Sequence, residues 1–458
     1  MSQDSRGLNY SGCDQQGVAL FEEAFAWILD YQPNAMPKID AILERYPDFV
    51  MAWVFKGYSI ASEGRHSAFS GILPILGELK RLSRVANERE LLHITALSHY
   101  QKGQVKEAVD VWSDILNQWP LDLVAFRQST GNLFWFGEGQ RLVDTAAKIS
   151  PAWTEQTSGY GYFAGAFGFA LEEVGQYDLA EKYARKAVDL NPSDLWAIHA
   201  MAHVFEMNAR TDEGIEWITS RAEQLHQHNA FVGHVWWHLA LFELELGRVE
   251  NVLSLFDENI YPEASNFYLS VQNGASLLKR LEFIGVDVGD RWERLYEGVK
   301  EDIGDYVYLF TELHSAMILA RNEKHDAIKQ LNDSLKSERP LRYSYEGNLA
   351  IQLIAGIESY EKGEFKPAVT SIKPIRYRLS ALGGSHAQQD IIGQYLIHSE
   401  HLLKHHSAVA GLMKERVSKR TRWDLSTARF LDKNQEIDRM LTSDNKEEAF
   451  KALLRKVI

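Results

Sequence analysis

Five residues near the middle of the chain, His199, His203, Glu206, His234 and His238, have the types and spacing from which a reactive site can be built. His199, His203 and Glu206 stand at i, i+4 and i+7, and His234 and His238 at i, i+4, so on helices each set projects from one face. Neutral imidazoles with a carboxylate suit Zn²⁺ or Fe²⁺, and a position left to water makes such a metal catalytic. Without a metal, Glu206 and a histidine such as His238 can act as general acid and base on a bound small molecule. The structural alternative is a set of groove-lining or interhelix hydrogen-bonding histidines, with Trp196, Trp236 and Trp237 filling the core. No His-Glu-x-x-His signature accompanies the cluster, so all three readings stay open.

Whether the two sets share a space depends on the elements that carry them. A period of about 34 residues with small residues at fixed offsets signals two helices per repeat. Counting Gly161 as position 1 puts Gly168, Ala180, Ala187 and Pro192 at 8, 20, 27 and 32 of a unit 161–194. Small side chains at 8 and 20 let the two helices touch, and the proline ends the second. The same ruler fits 89–122 through Ala96, Gly103, Ala108, Trp112 and Pro120. It fits 233–266 through Trp236, Ala240, Gly247 and Phe256, and 349–382 through Gly356, Gly363 and Ala368. The intervening stretches read as helix pairs of altered spacing. Residues 407–458 fit poorly and read as C-terminal capping helices, with the basic run 414–422 on a solvated face.

The expected fold is therefore all-α: a right-handed, tetratricopeptide-like helical-repeat solenoid over 1–458, wound tightly around a central groove or pocket. In such a unit starting at Leu195, His199, His203 and Glu206 fall at positions 5, 9 and 12 of the inner helix, with Trp196 at 2 and Met207 at 13. His234 and His238 follow on the next inner helix and face the same concavity. Gly159 to Gly165 has the wrong spacing, and no preceding strand, for a dinucleotide loop. Strand-like alternation, nucleophile elbows and phosphate loops are absent.

Composition narrows the partners. The 49 basic and 63 acidic residues give a formal charge of −14, which opposes counterion-release binding and predicts neither a nucleic-acid nor a membrane partner. The single cysteine, Cys13, excludes an intrachain disulfide and a Cys-based zinc site. The polar first residues and the lack of a long apolar window predict a soluble, cytoplasmic chain.

The stretches Ala202 to Met207, Trp236 to Phe242 and Ile375 to Asp390, the last with Leu382-Gly383-Gly384-Ser385, resemble the tetratricopeptide repeat protein 38 family along almost the whole chain. The resemblance implies the fold and brings no catalytic residues with it. His386 and Gln389 stand where that family commonly has Asn and Arg, which counts against His386 as an essential ligand.

Further inward candidates are Tyr162, Glu172 and Glu173, with His93 and Tyr100 from the earlier unit. In the C-terminal half, His314, Asp390 and His398 can fold back toward the centre. Arg376 and Arg378 flank Tyr377 and either clamp an anionic ligand or pair with an internal carboxylate such as Asp390 or Glu400. Two functions follow. In one, the groove binds a small molecule or peptide through Trp196, His199, His203, Tyr162, Glu172, Arg376 and Arg378. In the other, a pocket enzyme uses Glu206 and His238, with or without Zn or Fe on His199, His203, Glu206, His234 and His238. The first predicts an open groove, and the second predicts converging histidines sealed in by helices from both halves.

Overall fold

The computed structural model describes residues 2–225, 228–337 and 346–419. A two-residue antiparallel pairing of Ser2–Gln3 with Asn9–Tyr10 precedes a succession of helices that pack pairwise, each on its neighbour in the chain. The described chain is all-α, a tetratricopeptide-like helical-repeat solenoid.

Short turns generate the pairs. Pro120 and Pro192 follow helices that end at Gln118 and Leu190, because proline cannot donate the next helical hydrogen bond. Two residues later Asp122 and Asp194 accept hydrogen bonds from the backbone N–H of Ala125 (2.9 Å) and Ala197 (3.0 Å), capping Leu123–Trp135 and Leu195–Met207. Gly168, on Tyr160–Glu172, faces Tyr177–Leu190 so closely that a Cβ there would meet the Ala180 carbonyl and the Ala184 nitrogen at 3.0 Å. Small residues thus set the spacing within a pair.

The two helices of a pair differ in burial. Tyr177–Leu190 buries Ala180, Ala184, Ala187 and Val188 at helical spacing and leaves the rest toward solvent. Leu195–Met207 is buried at every position except Trp196, and Val232–Glu245 is buried from Gly233 through Glu243. An inner helix of an open solenoid keeps one solvated face; these do not, because the array winds back on itself. Val307 N–H donates to the Gly64 carbonyl (2.9 Å) and His66 N–H to the Asp305 carbonyl (2.8 Å). Asn229 N–H reaches the Tyr31 carbonyl (2.7 Å), and the Tyr31 ring stacks on Phe231 with centroids 4.3 Å apart. Trp135 stacks on Tyr308 (4.4 Å).

The Leu-Gly-Gly-Ser segment closes the same centre from the C-terminal side. Gly383 and Gly384 have φ of 87° and 79°, and a Cβ would meet the Trp135 carbonyl oxygen at 2.8 Å and the Phe310 ring at 2.9 Å. Ser385 then forms a reciprocal capping box with Gln388 at the start of His386–Leu402. Gln388 Nε2 donates to Gln272 Oε1 (3.0 Å), and Arg280 Nη2 to the Ala387 carbonyl (2.9 Å). The centre holds cavities that remain partly open to solvent, with exposed Ser62 and Gly131 on the rim of one and exposed Tyr377 on that of another. His406–Lys419 packs on His386–Leu402, and the remainder of the expected capping region, 420–458, lies outside the described residues. No helix among the described residues is long and apolar enough to cross a membrane.

Candidate functional site

Two successive inner helices carry the histidines to one place. Leu195–Met207 presents His199, His203 and Glu206 from one face, and Val232–Glu245 presents His234 and His238 toward them. One ligand-capable nitrogen on each of the four imidazoles lies within 4.8 Å of the others. Ring centroids are 4.5 Å apart for His199 and His203, 4.5 Å for His203 and His238, and 5.0 Å for His234 and His238. All four rings are buried.

Each ring has a defined partner. His238 Nδ1 lies 3.0 Å from Glu206 Oε2, and His234 Nδ1 lies 2.8 Å from Asn273 Oδ1. The Nε2 atoms of His199 and His203 meet at 2.8 Å, so one of them carries the shared proton. His203 Nδ1 faces Glu172 Oε2 at 3.5 Å, while His199 Nδ1 is buried without a hydrogen-bond partner. Burial, reinforced by neighbouring imidazoles, pushes His199 and His203 well below the ordinary histidine range and His234 down to about 3. These three rings are neutral at neutral pH, with lone pairs available.

Two carboxyls stand behind His203. Burial, followed by repulsion from Glu173 and Glu206, drives Glu172 well above the usual carboxylate range, and burial pushes Glu173 up to about 8. Glu172, Glu173 and His203 also bring ligand-capable atoms within 4.8 Å of one another.

A cavity of about 350 Å³ opens on this cluster, lined by His199, His203 and His234 on one side and by Trp196, Trp135 and Tyr308 among its aromatic walls. Arg127 lies over the Trp196 ring, 4.7 Å from its centroid, and donates to Tyr31 Oη (3.2 Å). Arg127 forms no salt bridge among the described residues, and its charge acts on the buried Asp194 carboxyl. Asn132 Oδ1 and Trp196 Nε1, both on residues that line the cavity, are buried without hydrogen-bond partners. Glu206 and His238 form a pair behind this wall and do not line the cavity.

The other candidates sit elsewhere. Tyr162 donates to Asp30 Oδ1 (2.9 Å). Arg376 lies against the Tyr377 ring and pairs with Glu415 (3.4 Å), and Arg378 pairs with exposed-side Glu346 (2.7 Å). Both arginines have internal carboxylate partners, though neither partner is Asp390 or Glu400, which hold Arg416 and Lys373. Arg376, Met207 and His386 border a second cavity of about 270 Å³ at the far end of Leu195–Met207. His93 is taken up by Asp122 (3.0 Å) and Tyr58, His314 by the Phe310 carbonyl (2.7 Å), and His398 by Tyr360 (2.7 Å).

Reading the sequence missed Arg127, Asn132, Asn273 and Gln388. The available signal was polar side chains on helices that would serve as inner ones. Placing them at the centre requires the crossing of distant turns, which no repeat ruler contains.

No family model matches the chain. Among solved structures it is similar to the human IFIT1 dimer with m7Gppp-AAAA, at 15% identity over 97% of this chain and 95% of that one, with a TM-score of 0.40. The expectation of no nucleic-acid partner is corrected on this point: a matched helical-repeat chain is itself solved with a nucleotide ligand. The physical error lay in using whole-chain charge, which says nothing of the field inside a wound array, where Arg127 faces a cavity.

Proposed function

We propose that the chain binds a small planar anion in the central cavity, with the histidine cluster as the polar end of the site. The observation that carries this is Arg127, a guanidinium over the Trp196 ring at the wall of the cavity without a carboxylate in salt-bridge reach. A cation so placed favours an anionic group, and the faces of Trp196, Trp135 and Tyr308 favour a flat partner. A volume of about 350 Å³ suits a small molecule better than an extended peptide. Buried Asn132 Oδ1 and Trp196 Nε1 supply an acceptor and a donor to fix its orientation.

A second reading, acid–base chemistry on that ligand, draws on His203 and Glu172. A neutral imidazole beside a carboxyl held protonated by burial can accept one proton and donate another. Glu206 then acts through His238, holding its ring, without touching the ligand. We take 1–458 as one superhelical unit of the tetratricopeptide repeat protein 38 family, on the strength of the Gly383-Gly384-Ser385 turn and the two histidine helices. A cytoplasmic setting accords with the lone Cys13.

The test is quenching of tryptophan fluorescence by naphthoate and, in parallel, by a nucleoside monophosphate, with Arg127→Met and Trp196→Ala as variants. Saturable quenching that Arg127→Met weakens by about tenfold or more supports the site, and the better of the two probes tells carboxylate from phosphate. Quenching by neither probe, or equal quenching in both variants, rejects it.

A further inference from the structure

We propose that His199, His203, His234 and His238 form a binding site for a single divalent transition-metal ion of the zinc type at the wall of the central cavity. Convergence of four imidazoles from two helices would alone be compatible with packing. What distinguishes a metal site is how the outer nitrogens are held. Histidines that ligate metals through one nitrogen donate the other ring N–H to a carboxylate, an amide or a carbonyl, which fixes the tautomer and aims the lone pair. His238 Nδ1 is held by Glu206 (3.0 Å) and His234 Nδ1 by Asn273 (2.8 Å), so in both rings Nε2 is the nitrogen that keeps a lone pair. His203 Nδ1 faces Glu172 at 3.5 Å, without a hydrogen bond, so the pattern is carried by His234 and His238.

The contact between His199 and His203 completes the case. Their Nε2 atoms, 2.8 Å apart, can share one proton only. Whichever ring carries that proton, His199 Nδ1 is buried without a hydrogen bond, a costly arrangement for packing alone. An ion between the two Nε2 atoms takes the place of the shared proton and uses both rings, each of which then carries its own proton on Nδ1. Metal–nitrogen bonds of about 2.0–2.1 Å place tetrahedral ligands ~3.3 Å apart, so ligand atoms already within 4.8 Å of one another have to close by at most ~1.5 Å.

The donor set points to a metal class. Imidazole suits Zn, Cu, Co, Ni and Fe, whereas Mg and Ca take oxygen ligands. The Glu206 carboxyl on His238 offsets part of the ion's charge in a medium where uncompensated charge is costly. Because His199, His203 and His234 line the cavity and His238 sits behind them, an ion here is reachable by a ligand in that cavity. The site uses the same histidine cluster as the ligand-binding reading but does not depend on Arg127, so metal and anion binding can fail separately.

The experiment is titration of the full chain, stripped with chelator, with Co²⁺ alone, followed by its visible ligand-field absorption and by Zn²⁺ competition. One Co²⁺ per chain with a tetrahedral spectrum is expected, lost in His199→Ala/His203→Ala and unchanged in His398→Ala, whose ring lies outside the cluster. Glu206→Gln preserves volume and still accepts from His238, so it should fold and bind metal about 10–100-fold more weakly. If imidazole deletion unfolds the chain by circular dichroism, the Glu206→Gln affinity decides. A folded wild type that shows no tetrahedral Co²⁺ spectrum overturns the site, and so does unaltered affinity in Glu206→Gln.

Discussion

His238 Nδ1 lies 3.0 Å from Oε2 of Glu206, a contact between successive inner helices by residues 32 positions apart. Both side chains are fully buried, so the pair ties one repeat to the next at the centre of the molecule. Glu206 follows His203 on its own helix by three residues, which places one carboxyl beside histidines of both helices.

Removing the Glu206 acceptor should therefore cost stability beyond its volume. Glu206→Leu leaves a buried imidazole N–H without its partner, worth about 1–3 kcal/mol, whereas Glu206→Gln keeps an acceptor and should lose less than half as much. Urea unfolding of the chelator-treated chain measures the difference. Equal losses in the two variants would mean that the hydrogen bond contributes little.

Stability should also peak near neutral pH in the metal-free protein. Folded Glu173 titrates at about 8 against ~4.3 when unfolded, so its contribution is complete below the lower value and is lost as pH rises to the upper one. The histidines have the opposite sign. Folded His234 titrates at about 3 against ~6.5 unfolded, with His199 and His203 shifted the same way, so stability falls as pH drops below about 6.5. Melting followed from acid to alkaline pH should show losses on both sides, at up to ~1.4 kcal/mol per pH unit for each group. Glu173→Gln should lessen the loss on the alkaline side, where Glu172 still acts in the same direction, and steepen the acid limb between ~4.3 and ~6.5, where the two windows overlap. An unchanged alkaline limb would remove Glu173 from the account.

Gly383→Ala should destabilise the chain by more than 1 kcal/mol or so, since alanine is strained at φ 87° and its Cβ would press on the Trp135 carbonyl. Trp135 lines the cavity, so naphthoate affinity should fall as well. A melting temperature within a degree or so of wild type would show that the turn can relax.

Closure of the superhelix rests in part on Asp305, whose carboxylate accepts from Ser67 N–H (3.0 Å) and Ser67 Oγ (2.6 Å). Asp305→Ala should raise amide hydrogen exchange at 64–67 and 302–307 while the repeats themselves stay protected. Uniform exchange across the whole chain would instead mean that the array opens as one unit.

The sequence by itself determined the helices, their pairing and the phase of the inner face. Those properties follow from short-range physics: small residues at contact positions, Pro120 and Pro192 ending helices, Asp122 and Asp194 starting the next. They also placed His199, His203, Glu206, His234 and His238 on neighbouring faces, because residues four apart on one helix, and adjacent helices in one array, are neighbours whatever the rest of the chain does. Winding was decided by tertiary structure alone. Whether the array stays open or closes depends on small rotations added over many repeats and on contacts such as Tyr31 with Phe231 and Gly64 with Val307, which join distant residues. That closure brought Arg127, Asn132, Asn273 and Gln388 to the centre, and left Tyr162, Arg376 and Arg378 bound to carboxyls of their own. Net charge sums over the whole chain and carries no record of which charges the fold turns inward.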